Sequence, residues 1–155
     1  MSSRMRSVVA AVVLLGLLSA CGERPASHGH PRDHGHVHAP RHGGKLVELG
    51  EETYHLELLR DREAGRLTAW VLDGHVENYV RLSIAEIELV GHHGGVEQRL
   101  PLRAVANDLT GETLGDTAQF EGEAEWLREP GGFAGVVSLE VRGRRFERVP
   151  FELSD

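Results

Sequence analysis

From Lys45 onward, apolar and polar residues alternate in short runs separated by turn residues, which is the period of half-buried β-strands. Lys45–Leu49 (KLVEL) predicts a first strand. In Tyr54–Arg60, Tyr54, Leu56 and Leu58 share one face, and His55 and Glu57 share the other. The polar stretch 61–66 closes a hairpin to Leu67–Asp73 (LTAWVLD). Glu77–Leu82 predicts a short edge strand. Ile84–Val90 turns at Gly91-His92-His93-Gly94-Gly95 into Val96–Val105, where Pro101 lacks an N–H and predicts an edge or a bulge. A loop over Ala106–Asp116 leads to a strand at Thr117–Leu127, with Phe120, Gly122, Ala124 and Trp126 aligned. Glu129–Gly132 turns into Phe133–Arg142, where Phe133, Gly135, Val137, Leu139 and Val141 alternate, and Gly143 closes a last hairpin to Arg144–Leu153. Helical turns fit only at Glu86–Leu89 and Ala104–Leu109.

Seven to nine short strands spaced by turns define an all-β domain over residues 45–155, and an antiparallel β-sandwich is the expected architecture. The alternation does not fix whether the sheet closes into a barrel.

The residues ahead of Lys45 follow other rules. Val8–Leu18 is an apolar run of 11 residues behind Arg4 and Arg6. A bilayer span needs about 20 residues, so the run reads as a secretory signal rather than a membrane helix. It ends in Leu18-Ser19-Ala20-Cys21, which resembles the lipobox of bacterial lipoproteins. That resemblance implies removal of residues 1–20 as a signal peptide and modification of Cys21 by a diacylglycerol and a further, palmitate-like acyl chain. Two or three chains hold a protein at a membrane where one does not. The implied location is the periplasmic face of the bacterial cell envelope. Gly22, in place of an aspartate after the cysteine, implies the outer membrane. An ordinary signal peptide with an incidental cysteine is the alternative.

Between Cys21 and Gly44, Gly, Pro, Ala, His and Arg prevail, and Val37 is the one large aliphatic residue. Such a segment cannot offset the entropy of ordering, so residues 21–44 are expected to form a flexible tether. Within it stands HGHPRDHGHVHAPRHGG. His28, His30, His34, His36, His38 and His42 are six of the chain's ten histidines. In an extended chain residues i and i+2 face one side, so each His-x-His pair can bring two imidazoles to one ion. Zinc, copper and nickel accept imidazole, and Asp33 could add a carboxylate. With an unperturbed pKa of about 6.5, much of the imidazole is neutral and ready to ligate at pH 7. Ordering the tether round an ion costs about 1–2 kcal/mol per fixed residue, so the binding expected is exchangeable. A hydrated spacer is the competing reading. His55, His75, His92 and His93 read as surface residues.

Composition narrows the function further. Removing residues 1–20 takes away two arginines and no acids, moving the net charge from −7 to −9. Nucleic-acid binding, which relies on a basic patch, is thereby disfavoured. Cys21 is the only cysteine, so disulfides and thiolate metal sites are excluded once it is lipidated. The sequence holds no G-x-S-x-G, H-E-x-x-H, P-loop or dinucleotide fingerprint, and a non-enzymatic role without a small-molecule substrate is expected. Arg142, Arg144, Arg145 and Arg148 form a local basic cluster that either meets a partner or, the favoured reading, neutralises nearby acids.

The stretches His42-Gly-Gly-Lys-Leu-Val-Glu-Leu-Gly50, Tyr54-His-Leu-Glu-Leu58 and Leu67–Asp73, with Phe120-Glu-Gly122 and Phe133-Ala-Gly-Val-Val137, support a wider resemblance. They are similar to a small β-domain of bacterial periplasmic lipoproteins and to the N-terminal region of some heavy-metal efflux adaptors of the resistance–nodulation–division type. The resemblance implies an extracytoplasmic β-domain associated with metal ions and a metal-efflux or uptake protein as partner. It supplies no catalytic residue, and the chain lacks room for an adaptor's helical hairpin. Two functions are therefore carried forward. One is a lipoprotein that captures metal on its tether; the other is a protein-interaction or envelope-binding module with the tether as spacer.

Overall fold

The computed structural model describes residues 38–155. The signal run, Cys21, and His28, His30, His34 and His36 lie outside the described residues. Eight strands follow one another: β1 (Lys45–Leu49), β2 (Tyr54–Asp61), β3 (Arg66–Asp73), β4 (Glu86–His93), β5 (Val96–Ala104), β6 (Gln119–Glu123), β7 (Phe133–Val141) and β8 (Arg144–Leu153). A 3-10 turn spans Glu125–Arg128. The all-β, antiparallel class and the expected number of strands are both found.

The strands form one sheet in the order β1-β2-β3-β6-β5-β4-β7-β8, every neighbouring pair antiparallel. The sheet curls until its two ends, β1 and β8, draw near without pairing, so it is nearly closed. A groove between Lys45–Glu48 and Val149–Glu152 marks the gap. Alternation then sends one face of every strand inward. Leu49, Leu56, Val71, Leu89, Leu102 and Phe120 are among the side chains that meet in a single core fed by all eight strands. The hairpins are local and follow from turn chemistry. Between β7 and β8, Arg142 and Gly143 both have positive φ (50° and 82°), the twist that a two-residue hairpin loop requires.

Three segments depart from the alternation. Residues 77–82 form no strand; they make single bridges, Leu72 to Tyr79 and Leu82 to Thr117. The Asp73 carboxylate accepts from the Glu77 amide (2.9 Å) and the Asn78 side chain (2.7 Å), forcing a tight reversal after β3. The returning chain runs only briefly beside β3, Asp73 N donating to Asn78 O and Val80 N to Val71 O (both 2.9 Å), before it leaves toward β4. The strand expected at Thr117–Leu127 stops at Glu123, because the Ala124 amide bonds to Gly65 O and the 3-10 turn drives Leu127 into the core. Pro101 lies inside β5, but β6 pairs with β5 only at Arg103 and Ala104, so the proline stands where one paired neighbour suffices.

One buried cation fixes that end of the sheet. The Arg60 side chain, on β2, donates to Leu127 O (2.8 Å), Gly131 O (2.7 Å) and Glu129 O, and lies over the Phe133 ring. Burial and the neighbouring Arg62 lower its pKa, partly offset by Asp155 3.6 Å away.

Candidate functional site

The site is built on the side of β2 that alternation marks as polar. Glu57 is fully buried there and His55 is 5% exposed. What covers Glu57 is the chain just ahead of β1. The Arg41, His42 and Gly44 amides donate to its carboxylate at 2.9, 2.7 and 3.0 Å, and His42 Nδ1 lies 3.0 Å from Oε2. Gly44 is required by the close crossing: a Cβ there would stand 2.5 Å from the Leu58 carbonyl oxygen. The His-Gly-Gly of the sequence is thus a latch that folds over β2, and the ordered chain begins ahead of Lys45.

Burial on its own would raise the Glu57 pKa. The amides of Gly44, His42 and Arg41, together with the His42 ring, outweigh it and hold the carboxyl below its ordinary range. Glu57 is therefore an anion at neutral pH, neutralised by oriented N–H groups.

The latch carries an aromatic stack. The His42 ring lies flat on Trp70, centroids 3.7 Å apart and 13° from parallel. Its Nε2 is 3.1 Å from the Tyr79 hydroxyl. With Nδ1–H directed at Glu57, Nε2 accepts the Tyr79 proton. The Arg41 guanidinium covers the Tyr79 ring (4.8 Å) and donates to the Glu77 and Val76 carbonyls. Beside the stack lies a cleft of about 180 Å³, lined by His42, Trp70, Tyr79, Arg81, Glu112 and Gln119 among others. Its charged groups already have partners: Arg81 pairs with Asp116 outside the cleft (3.2 Å) and lies 4.0 Å from Glu112, which accepts from the Ala118 amide (2.8 Å).

Upstream of the latch, His38 stands beside the domain. Its ring centre is 5.2 Å from that of His55 and 6.2 Å from that of His75. His55 Nδ1 faces the Asp73 carbonyl oxygen at 3.3 Å. His75 is exposed in the turn after β3. That turn is held by Asp73; slight burial would raise its pKa, but bonds from Asn78, Glu77 and the His75 amide bring it below the usual range.

Of the six histidines predicted as ligands, two fall within the described residues. His38 meets two partners that alternation reads as surface, and His55 proves buried. His42 has both nitrogens engaged, so an ion there would have to displace Glu57 or Tyr79. Among the described residues no group of three or more His, Cys, Asp or Glu side chains could hold a metal ion. The hairpin-tip histidines diverge, His92 toward Glu97 (3.7 Å) and His93 toward Glu129 (2.8 Å). No described helix is long and apolar enough to cross a membrane.

Glu57, Trp70 and Tyr79 are what the pattern missed. Alternation assigns a residue to a face and says nothing of what covers that face. The paired glycines after His42, a signal of close backbone approach, are the clue the sequence does contain. No known protein family, curated protein or solved structure matches the chain.

Proposed function

We propose that this protein is a lipid-anchored lipoprotein of the bacterial envelope that captures exchangeable zinc, copper or nickel ions on its histidine-rich tether. It buffers them or exchanges them with a membrane transport protein. The observation that carries the reading is the histidine run, six imidazoles within fifteen residues at His-x-His spacing, behind a lipobox-like Cys21. The latch supports it by ending the tether at a fixed point on a rigid domain. The 18 residues from Cys21 to His38 reach at most about 60 Å when extended, so captured ions stay near the membrane surface. The acidic domain adds a field that attracts cations without specifying one.

Isothermal titration of the delipidated full chain with zinc, copper and nickel at pH 7.5 tests the reading. The comparison is a variant with His28, His30, His34, His36 and His38 changed to serine, leaving His42 to hold the latch. The expected result is binding at micromolar or lower concentration that loses most of its stoichiometry in the variant. Equal binding by the two proteins, or none by either, refutes it. Because protons compete for the same lone pairs, the intact chain should release its ions as pH falls through about 6.

A further inference from the structure

We infer that the loop between β5 and β6, residues 105–118, is a membrane-docking tip that lays Leu109 and Leu114 into a zwitterionic lipid surface and so orients the domain. The inference rests on the lipid anchor of the proposed function and not on metal capture.

Exposure is the first support. Among the described residues, Leu109 and Leu114 are the most exposed large apolar side chains, at 98% and 64%. Both stand at turn apices, where Gly, Asn, Asp, Pro and Ser are the common residues. Asn107 and Glu112 exchange backbone bonds round Leu109 (3.0 and 2.9 Å), and Thr113 and Asp116 do the same round Leu114 (3.2 and 3.0 Å). A single exposed leucine needs no explanation; two on successive turns of one loop make an apolar tip.

Rigidity is the second support. The Leu109 amide donates to the Asn107 side-chain oxygen (3.1 Å). The Arg81 guanidinium donates to the Thr110 and Gly111 carbonyls (2.6 and 3.3 Å) and pairs with Asp116 (3.2 Å). The Glu112 carboxylate accepts from the Ala118 amide at the base of the loop (2.8 Å). The tip is thus presented in a fixed form, and docking orders little that is not ordered already.

Placement is the third support. The cleft beside the latch is lined both by His42 and Tyr79 of the latch and by Asn107 and Thr110 of the loop. The chain that leads back to Cys21 therefore joins the domain on the side from which the loop rises. At most about 60 Å of chain separates Cys21 from His38. A link of that length holds the tip at an effective concentration on the order of millimolar, so a contact too weak to hold an unanchored protein still forms. Charge selects the lipid. The loop carries three acids, Asp108, Glu112 and Asp116, against the single cation Arg81 that lies 4.0 Å from Glu112 and 3.2 Å from Asp116. An anionic surface repels such a tip and a zwitterionic one does not.

The test uses residues 21–155, because the apolar run ahead of them would enter lipid by itself. Cys21, the only cysteine, is coupled to a maleimide lipid in phosphatidylcholine nanodiscs, which supplies the anchor by chemistry. A nitroxide on the lipid headgroups broadens the amide resonances that lie near the surface. The Leu109 and Leu114 signals should lose most of their intensity, whereas Val96, an exposed apolar residue at the opposite end of β5, should keep its own. Changing Leu109→Ser and Leu114→Ser together should restore the neighbouring Thr110 and Gly115 signals, and Val96→Ser should change nothing. Added phosphatidylglycerol should weaken the broadening. Broadening spread evenly over the domain, broadening that survives the double change, or broadening that grows with phosphatidylglycerol overturns the inference. So does a silent loop, which leaves the two leucines to a protein partner. Mass spectrometry of Cys21 in the native protein tests the anchor separately. An unmodified thiol overturns the anchor and the docking tip with it; a lipidated Cys21 with a silent loop overturns the tip alone.

Discussion

Replacing Glu57 with glutamine keeps the shape of the latch anchor and removes its charge. In the native protein the carboxylate accepts three backbone amides and faces the His42 ring, all between 2.7 and 3.0 Å. Bonds to a charged acceptor contribute about 1.5–3 kcal/mol each, or about 6–12 kcal/mol for the four. Against this stands the cost of ordering residues 41–44, about 1–2 kcal/mol each. The difference is a few kcal/mol, of which glutamine retains little: its NH₂ group points at donors, and its one oxygen cannot serve both sides of the anchor. The expected loss is about 3 kcal/mol. For a domain of this size it lowers the thermal midpoint by about 10 °C. Thermal and urea unfolding by circular dichroism measure it. A separate signature comes from Trp70, which loses its His42 cover when the latch lifts, so acrylamide should quench its fluorescence more. A variant within about 0.5 kcal/mol of the parent, with unchanged quenching, would show that the carboxylate does not hold the latch.

Other outcomes follow from the same geometry. The Glu57 carboxyl is held below its ordinary value of 4.5, so its stabilisation is complete above that pH and is lost as pH falls through the lower folded value. Thermal midpoints taken from pH 6 to pH 3 should therefore fall more steeply for the parent than for Glu57→Gln, and parallel curves would contradict the assignment. Gly44→Ala forces a Cβ against the Leu58 carbonyl and should cost about 1–3 kcal/mol in urea unfolding, whereas Gly115→Ala, which meets nothing within 4 Å, should be neutral or slightly stabilising. Arg60→Met strips the donor from the carbonyls of Leu127, Glu129 and Gly131 and should cost about 2–4 kcal/mol; faster proteolysis near residues 125–132 would locate the loss. Tyr79→Phe removes one neutral hydrogen bond to His42 and should cost no more than about 1.5 kcal/mol by the same measurement.

Local pairing was legible in the sequence and distant pairing was not. β1, β7 and β8 announce themselves because alternation, a glycine turn and renewed alternation all act within twenty residues. That β3 has β6 for its other neighbour, nearly fifty residues on, leaves no mark on either strand, nor does the approach of β1 to β8. Thr117–Leu127 reads as one strand because Trp126 keeps the apolar phase of Phe120; the phase continues while the backbone changes state at Ala124. For the site, the histidine run was visible as composition, and the glycines after His42 as a close approach. The roles of Glu57 and His55 depend on residues that fold over them, and a period of two looks the same whether its polar face meets water or another segment of chain.

The latch also decides how the domain would respond to being pulled. β1 lies at one end of the sheet with β2 as its only paired neighbour, so tension entering at Lys45 would peel its ladder one bond at a time, the weakest direction for a hairpin. Tension arriving through His38 instead reaches residues 41–44 first and passes into Glu57 in the middle of β2, a strand held on both sides. A domain pulled from its N-terminal side thus carries the load past the strand least able to bear it.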